Sequence, residues 1–170
     1  MDLSGQRRKI VLGLGNTLNR DEGLGVHAMK ALEKHFQSAS SSLAPEVEFL
    51  DGGVLGLNLL PWVEECSHLL VLDAIDGSRT PGTVIELKRD EIPLFTGIKV
   101  SDHQVTFQEV LGLASFRGHL PPFLHLIGLQ PADISTGIDL SPVATGKLPE
   151  LVARAAGVLD EWQLVARSIT

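Results

Sequence analysis

The sequence predicts an α/β chain, in which helices lie on both faces of a mixed five-stranded sheet to give three layers, α/β/α. Three observations predict it. The nearly unbroken apolar runs Lys9-Ile-Val-Leu-Gly-Leu-Gly15 and Leu69-Leu-Val-Leu-Asp-Ala-Ile75 are patterned as strands covered on both faces. Stretches with apolar residues at helical spacing alternate with them. The connection Gly77-Ser-Arg-Thr-Pro-Gly82 is far shorter than the crossover of about a dozen residues that parallel pairing requires, so the sheet cannot be wholly parallel.

In chain order, the first strand ends at Gly13 to Gly15, and Val26, Met29, Leu32 and Phe36 then recur at helical spacing, with Lys30, Glu33 and Lys34 on the wet side. Residues Gln37 to Pro45, rich in Ser and Ala, are expected to be a loop, and Val47 to Leu50 a strand stopped by Asp51-Gly52-Gly53. Leu55 to Glu65 is expected to be a helix interrupted by Pro61, before the central strand Leu69 to Ile75. Strand Thr83 to Leu87 follows, then a helix capped by Ser101 or Asp102 and running to about Ser115, then strand Phe123 to Leu129. Pro149 would break a helix interior, so it is placed in the first turn of the last helix, whose buried stripe is Leu148, Leu151, Val152, Ala155, Leu159 and Trp162.

With 170 residues, 44% of them hydrophobic and 21% charged, the chain can bury one sizeable core, and a single domain over residues 1–170 is expected. A net charge of −7 disfavours nucleic acid, whose phosphates call for a clustered basic surface. One cysteine, Cys66, excludes an intrachain disulfide and fits a reducing compartment, so the cytoplasm is expected. The basic N-terminus leads into a strand rather than a signal peptide, and no apolar window approaches the roughly 20 residues that cross a bilayer.

Ligand sites in open α/β sheets form beyond the carboxyl ends of the strands. Three predicted strands end in acidic groups there: Asp21-Glu22 after the first, Asp51 after the second, Asp73 and Asp76 after the third. Close-set carboxylates repel unless a cation or a shared proton compensates them, so the cluster points to metal binding or acid/base chemistry. His103, at the start of a predicted helix, adds an imidazole that suits a borderline divalent ion such as nickel or zinc. By pattern alone each has a structural reading too: Glu22 as a first-turn acid favouring the helix dipole, Asp51 as a turn residue, His103 as a partly exposed helix-start residue. Asp73 is hardest to read that way, since a carboxylate in so apolar a run is costly to bury unless paired or bound. The other histidines lack metal-ligand spacing, and GxGxxG, GxxxxGK[ST] and GxSxG motifs are absent.

Taken together, Gly13-Leu-Gly-Asn-Thr-Leu-Asn-Arg-Asp-Glu-Gly-Leu-Gly25, Leu50-Asp-Gly-Gly53, Leu72-Asp-Ala-Ile75 and Ser101-Asp-His-Gln104 resemble the maturation endopeptidases of nickel-iron hydrogenases. The resemblance extends to Phe123–Gln130 and Gly137–Pro142, so it spans nearly the whole chain. It implies a twisted five-stranded sheet between helices. It also implies metal ligation by Glu22, Asp73 and His103, with Asp51 in a supporting or catalytic role and Asp73 catalytic as well as ligating. Asp102 stands where some relatives place proline, a change expected to alter loop stiffness more than metal affinity.

The implied reaction is one cut that removes a C-terminal extension from the large-subunit precursor after nickel insertion. On that reading the nickel arrives with the substrate and Asp51 serves as a base; a resident divalent ion activating water is the other possibility. Two further readings use the same residues differently. A non-catalytic nickel-binding chaperone for hydrogenase assembly would share the ligands but leave its partner uncut. Peptidyl-tRNA hydrolases share the Gly-Leu-Gly-Asn strand end, but their following proline-glycine is replaced here by Thr17-Leu18, and the acidic balance disfavours RNA.

Overall fold

The chain is described by a computed structural model covering residues 8–38, 47–93 and 101–168, of which 101–106 and 164–168 are described as backbone only. Strand β1 (Arg8–Leu14) leads through a 3-10 turn, Arg20–Gly23, into helix α1 (Leu24–Ser38). Strand β2 (Val47–Gly53), a second 3-10 turn (Gly56–Leu59) and short helix α2 (Leu60–Glu65) precede strand β3 (Cys66–Ala74). Strand β4 (Val84–Lys88), helix α3 (Ser101–Phe116), strand β5 (Phe123–Leu129) and helix α4 (Pro142–Ser168) complete the order.

The strands form one sheet in the order β2-β1-β3-β5-β4, with β4 alone antiparallel. The short turn after β3 does force a mixed sheet, but β4 pairs with β5 rather than with β3, because β5 enters the sheet between them. Alternation along the strands divides the core. Val11, Leu70 and Leu72 face α1 and α4, while Ile10, Leu12, Leu69 and Val71 face α2 and α3. The predicted stripes are buried: Val26, Met29, Leu32 and Phe36 on α1, and Leu151, Ala155, Leu159 and Trp162 on α4. No helix among the described residues is long and apolar enough to cross a membrane.

Three expectations need correction. Pro61 does not interrupt a helix but lies in the first turn of α2, where its missing N–H leaves no partner unmet. Gln37 and Ser38 continue α1, and the rest of the expected loop, 39–46, lies outside the described residues. Helix α4 starts at Pro142, a full two turns before Pro149, which is therefore interior. Ser141 fixes that start, its Oγ accepting the Ala144 N–H at 3.1 Å while its carbonyl accepts the Thr145 N–H at 2.9 Å. Pro149 and Thr145 are both exposed, so the helix carbonyl deprived of its donor can turn to water. The capping role expected of Ser101 or Asp102 falls on side chains outside the described set.

Candidate active site at the ends of β1 and β3

The parallel strands all end at one edge of the sheet. From β1 the chain moves outward to β2, and from β3 it moves the other way, to β4 and β5, so the ends of β1 and β3 bound the crevice where connections diverge. The glycine-rich segment after β1 lets the chain fold directly onto that crevice. Gly15 has φ +112°, and a Cβ there would collide with the Glu22 carbonyl. A Cβ on Gly25 would run into the carbonyl oxygens of both Leu14 and Leu72, so α1 starts hard against the ends of β1 and β3.

Glu22 and Asp73 meet at this point, and both are buried, with 6% and 2% of their surface exposed. Glu22 Oε2 accepts a hydrogen bond from Asn19 Nδ2 at 2.7 Å. Asp73 lies on the face of β3 that carries Leu69 and Val71, and it borders a narrow apolar cavity between the sheet and α3, walled by Val71, Ile75, Phe107 and Leu111. At about 20 Å³ this cavity holds roughly one water and no peptide. Asp73 Oδ1 accepts the Ala74 N–H at 2.7 Å. Burial pushes the Asp73 carboxyl well above its ordinary value; the Ala74 N–H opposes that rise and the Glu22 carboxylate adds to it.

Two adjoining buried carboxylates of this kind favour a proton or a cation between them. Their oxygen donors suit a divalent ion, which would relieve both the burial and the repulsion. Among the described side chains, no group of three or more His, Cys, Asp or Glu is placed to hold a metal ion. The third predicted ligand, His103, is in the first turn of α3, on the side of the sheet that Asp73 faces, and its side chain lies outside the described set.

Asp51 is not brought to this pair. It pairs in register with Gly13, follows Val47 and Phe49 at two-residue spacing, and so falls on the opposite face of the sheet from Asp73. Its carboxylate is half exposed and 3.3 Å from Lys30 Nζ on α1. Asp76 is also apart, its Oδ1 accepting the Ser78 N–H at 3.1 Å and Gln130 Nε2 at 3.2 Å within the turn after β3.

The family model for HycI, hydrogenase maturation protease, matches residues 26–158. The hydrogenase expression/formation protein HupD of Rhizobium leguminosarum bv. viciae is 45% identical over 157 residues, 91% of this chain and 75% of that protein. The hydrogenase 2 maturation protease of Escherichia coli K12 is 34% identical over 155 residues, 91% of this chain and 92% of its own. The solved structure of the hydrogenase maturating endopeptidase HybD from E. coli superposes with a TM-score of 0.79 over 91% of this chain and 93% of that one, at 34% identity. This chain belongs to the hydrogenase maturation protease family. It is therefore a peptidase, and the mixed five-stranded sheet between helices is the fold it shares with HybD.

In this protease the residue beside Glu22 organises the edge. Asp21 is fully buried, and its carboxylate accepts the N–H groups of Ala132 (2.9 Å), Asp133 (3.0 Å) and Ser141 (2.7 Å) together with the Ser141 hydroxyl (2.8 Å). These bonds clip the segment between β5 and α4 to the turn that carries Glu22. Gln130 does the same for the segment after β3, its Oε1 accepting the Gly77 N–H at 2.9 Å and the Arg79 N–H at 3.1 Å. The sequence pattern counted Asp21 only among the acidic groups of this edge and gave Gln130 no role. The Ser141-Pro142 pair was the available signal, since serine before a first-turn proline is a helix start, and its donors call for a buried acceptor.

Proposed function

We propose that this protease removes a C-terminal extension from the large-subunit precursor of a nickel-iron hydrogenase, and that Glu22, Asp73 and His103 recognise the nickel already seated in that substrate. The observation that carries this reading is the buried Glu22–Asp73 pair at the strand-end crevice of a maturation protease. Without a cation, burial and the Glu22 charge favour protonated Asp73. A divalent ion brought by the precursor reverses that preference, so the pair distinguishes a metal-loaded precursor from an empty one. Anchoring the nickel fixes the nearby peptide bond relative to Asp73, a gain in orientation rather than in raw affinity. Asp51, on the other face beside Lys30, supports the substrate from the outer side of the edge instead of exchanging a proton with Asp73. The work takes place in the cytoplasm, which the single buried cysteine fits.

The decisive experiment is the intact mass of the host's hydrogenase large subunits in a strain lacking this protein, then after restoring wild type or Asp73→Asn. One subunit is expected to keep its C-terminal extension until wild type, and not the variant, is supplied. Normal trimming in the deleted strain, with no second protease of this family present, would overturn the assignment. Since the nickel is expected to come with the substrate, the purified protease should carry well under one equivalent of metal by elemental analysis.

A further inference from the structure

We infer that six exposed apolar side chains around the carboxylate crevice form the docking surface for the folded body of the substrate protein. The inference rests on the function proposed above and names how its substrate is held. Leu18 follows β1, Val54, Leu55 and Leu57 follow β2, and Ile134 and Ile138 lie between β5 and α4; their exposures run from 47% to 68%. They are six of the ten large apolar side chains exposed among the described residues, and the other four are spread over α3, β5 and α4. Single exposed apolar residues are ordinary, whereas a group on one edge marks an interaction site.

The loops that carry them are fixed before any partner arrives. The Gly137 N–H donates to the Leu18 carbonyl and the Arg20 N–H to the Gly137 carbonyl, both at 2.8 Å, while the Gly15 N–H donates to the Gly53 carbonyl at 3.0 Å. The Asp21 clip holds the same loops from beneath. Rigid apolar groups bind with little loss of conformational entropy. Their arrangement also selects the occupant. The strands β2 and β5 lie on either side of the β1–β3 crevice, three strand spacings or about 14 Å apart. A single extended chain meets only the side chains along one line across the edge, whereas the surface of a folded protein meets the apolar groups on both flanks at once.

The test compares wild type, the Leu57→Ser/Ile138→Ser double variant, and Leu113→Ser, an exposed apolar position on α3 away from this edge. Titration calorimetry with purified nickel-loaded precursor gives Kd, and intact mass gives the trimming rate at saturation. The double variant is expected to bind roughly tenfold more weakly or worse, with its melting temperature held, while Leu113→Ser binds as wild type. Wild-type affinity in the double variant, with wild-type trimming intact, overturns the docking surface and leaves the proposed function standing. Failure of wild type to trim or bind any precursor removes both. Sedimentation supplies the last outcome: if the protease alone dimerises and the double variant is monomeric, these side chains are an interface between copies and the inference fails.

Discussion

Asp21 and Asp73 are both buried at the same edge, yet the fold treats them in opposite ways. Asp21 is surrounded by donors, accepting three backbone N–H groups and a hydroxyl. Asp73 accepts the N–H of its own neighbour, Ala74, and faces a second carboxylate across the crevice. Burial is common to the two, so burial alone does not identify a reactive carboxylate. The difference among the described residues is the number of donors: a carboxylate whose lone pairs are met is part of the structure, whereas one with a single described donor beside another acid is suited to take a cation or a proton.

The sharpest way to break this contrast is to neutralise Asp73. Asp73→Asn keeps the volume but removes the charge, and trimming of the precursor is expected to fall by about 10²–10⁴ in a single-turnover assay read by mass. Folding should not suffer. Next in size is Asp21→Ala, which strands four donors at once, the two of Ser141 buried and those of Ala132 and Asp133 partly so, and is expected to cost roughly 3 kcal/mol in denaturant unfolding. Should Asp21→Ala instead leave stability unchanged while abolishing trimming, Asp21 would belong to the chemistry and the contrast would collapse.

These two carboxylates also show what the sequence discloses. The strands at Lys9 to Gly15 and Leu69 to Ile75 were legible because continuous apolar runs have few other interpretations, and Asp73 was legible because it interrupts one of them. Asp21 was not, since its partners lie 111 to 120 residues away and nothing local distinguishes it from Glu22. The face on which Asp51 lies was not legible, for a related reason. Ending a strand places a residue at the correct edge, but only the pleat decides its face, and there the register of β2 turns it toward Lys30. Pro149 misled because an interior proline is costly in general, whereas here the freed carbonyl is exposed and the helix start is anchored by Ser141.

The smallest expected effects distinguish the two ends of β3 by their pH dependence. At the amino end His68 stacks on Phe123 at 4.2 Å and meets Trp162 edge-on at 5.0 Å. Burial, with a lesser push from Lys9, lowers its pKa from 6.5 to about 4. The folded value is depressed, so the stability His68 contributes is full above pH 6.5 and is lost as pH falls toward 4. Because the ring is only half buried, that loss is on the order of 1 kcal/mol. At the carboxyl end the sign reverses. The folded value of Asp73 is raised, so its contribution is full below the ordinary carboxylate value of 3.8 and is lost as pH rises through the raised one. Unfolding midpoints at pH 7 and pH 4.5 should therefore show Asp73→Asn more stable than wild type at neutral pH, with the advantage shrinking in acid. His68→Gln should lose less stability than wild type between those two pH values. If, relative to wild type, both variants moved in the same direction on acidification, the opposite shifts that burial gives the two groups would be wrong, and with them the contrast between the two ends of the strand.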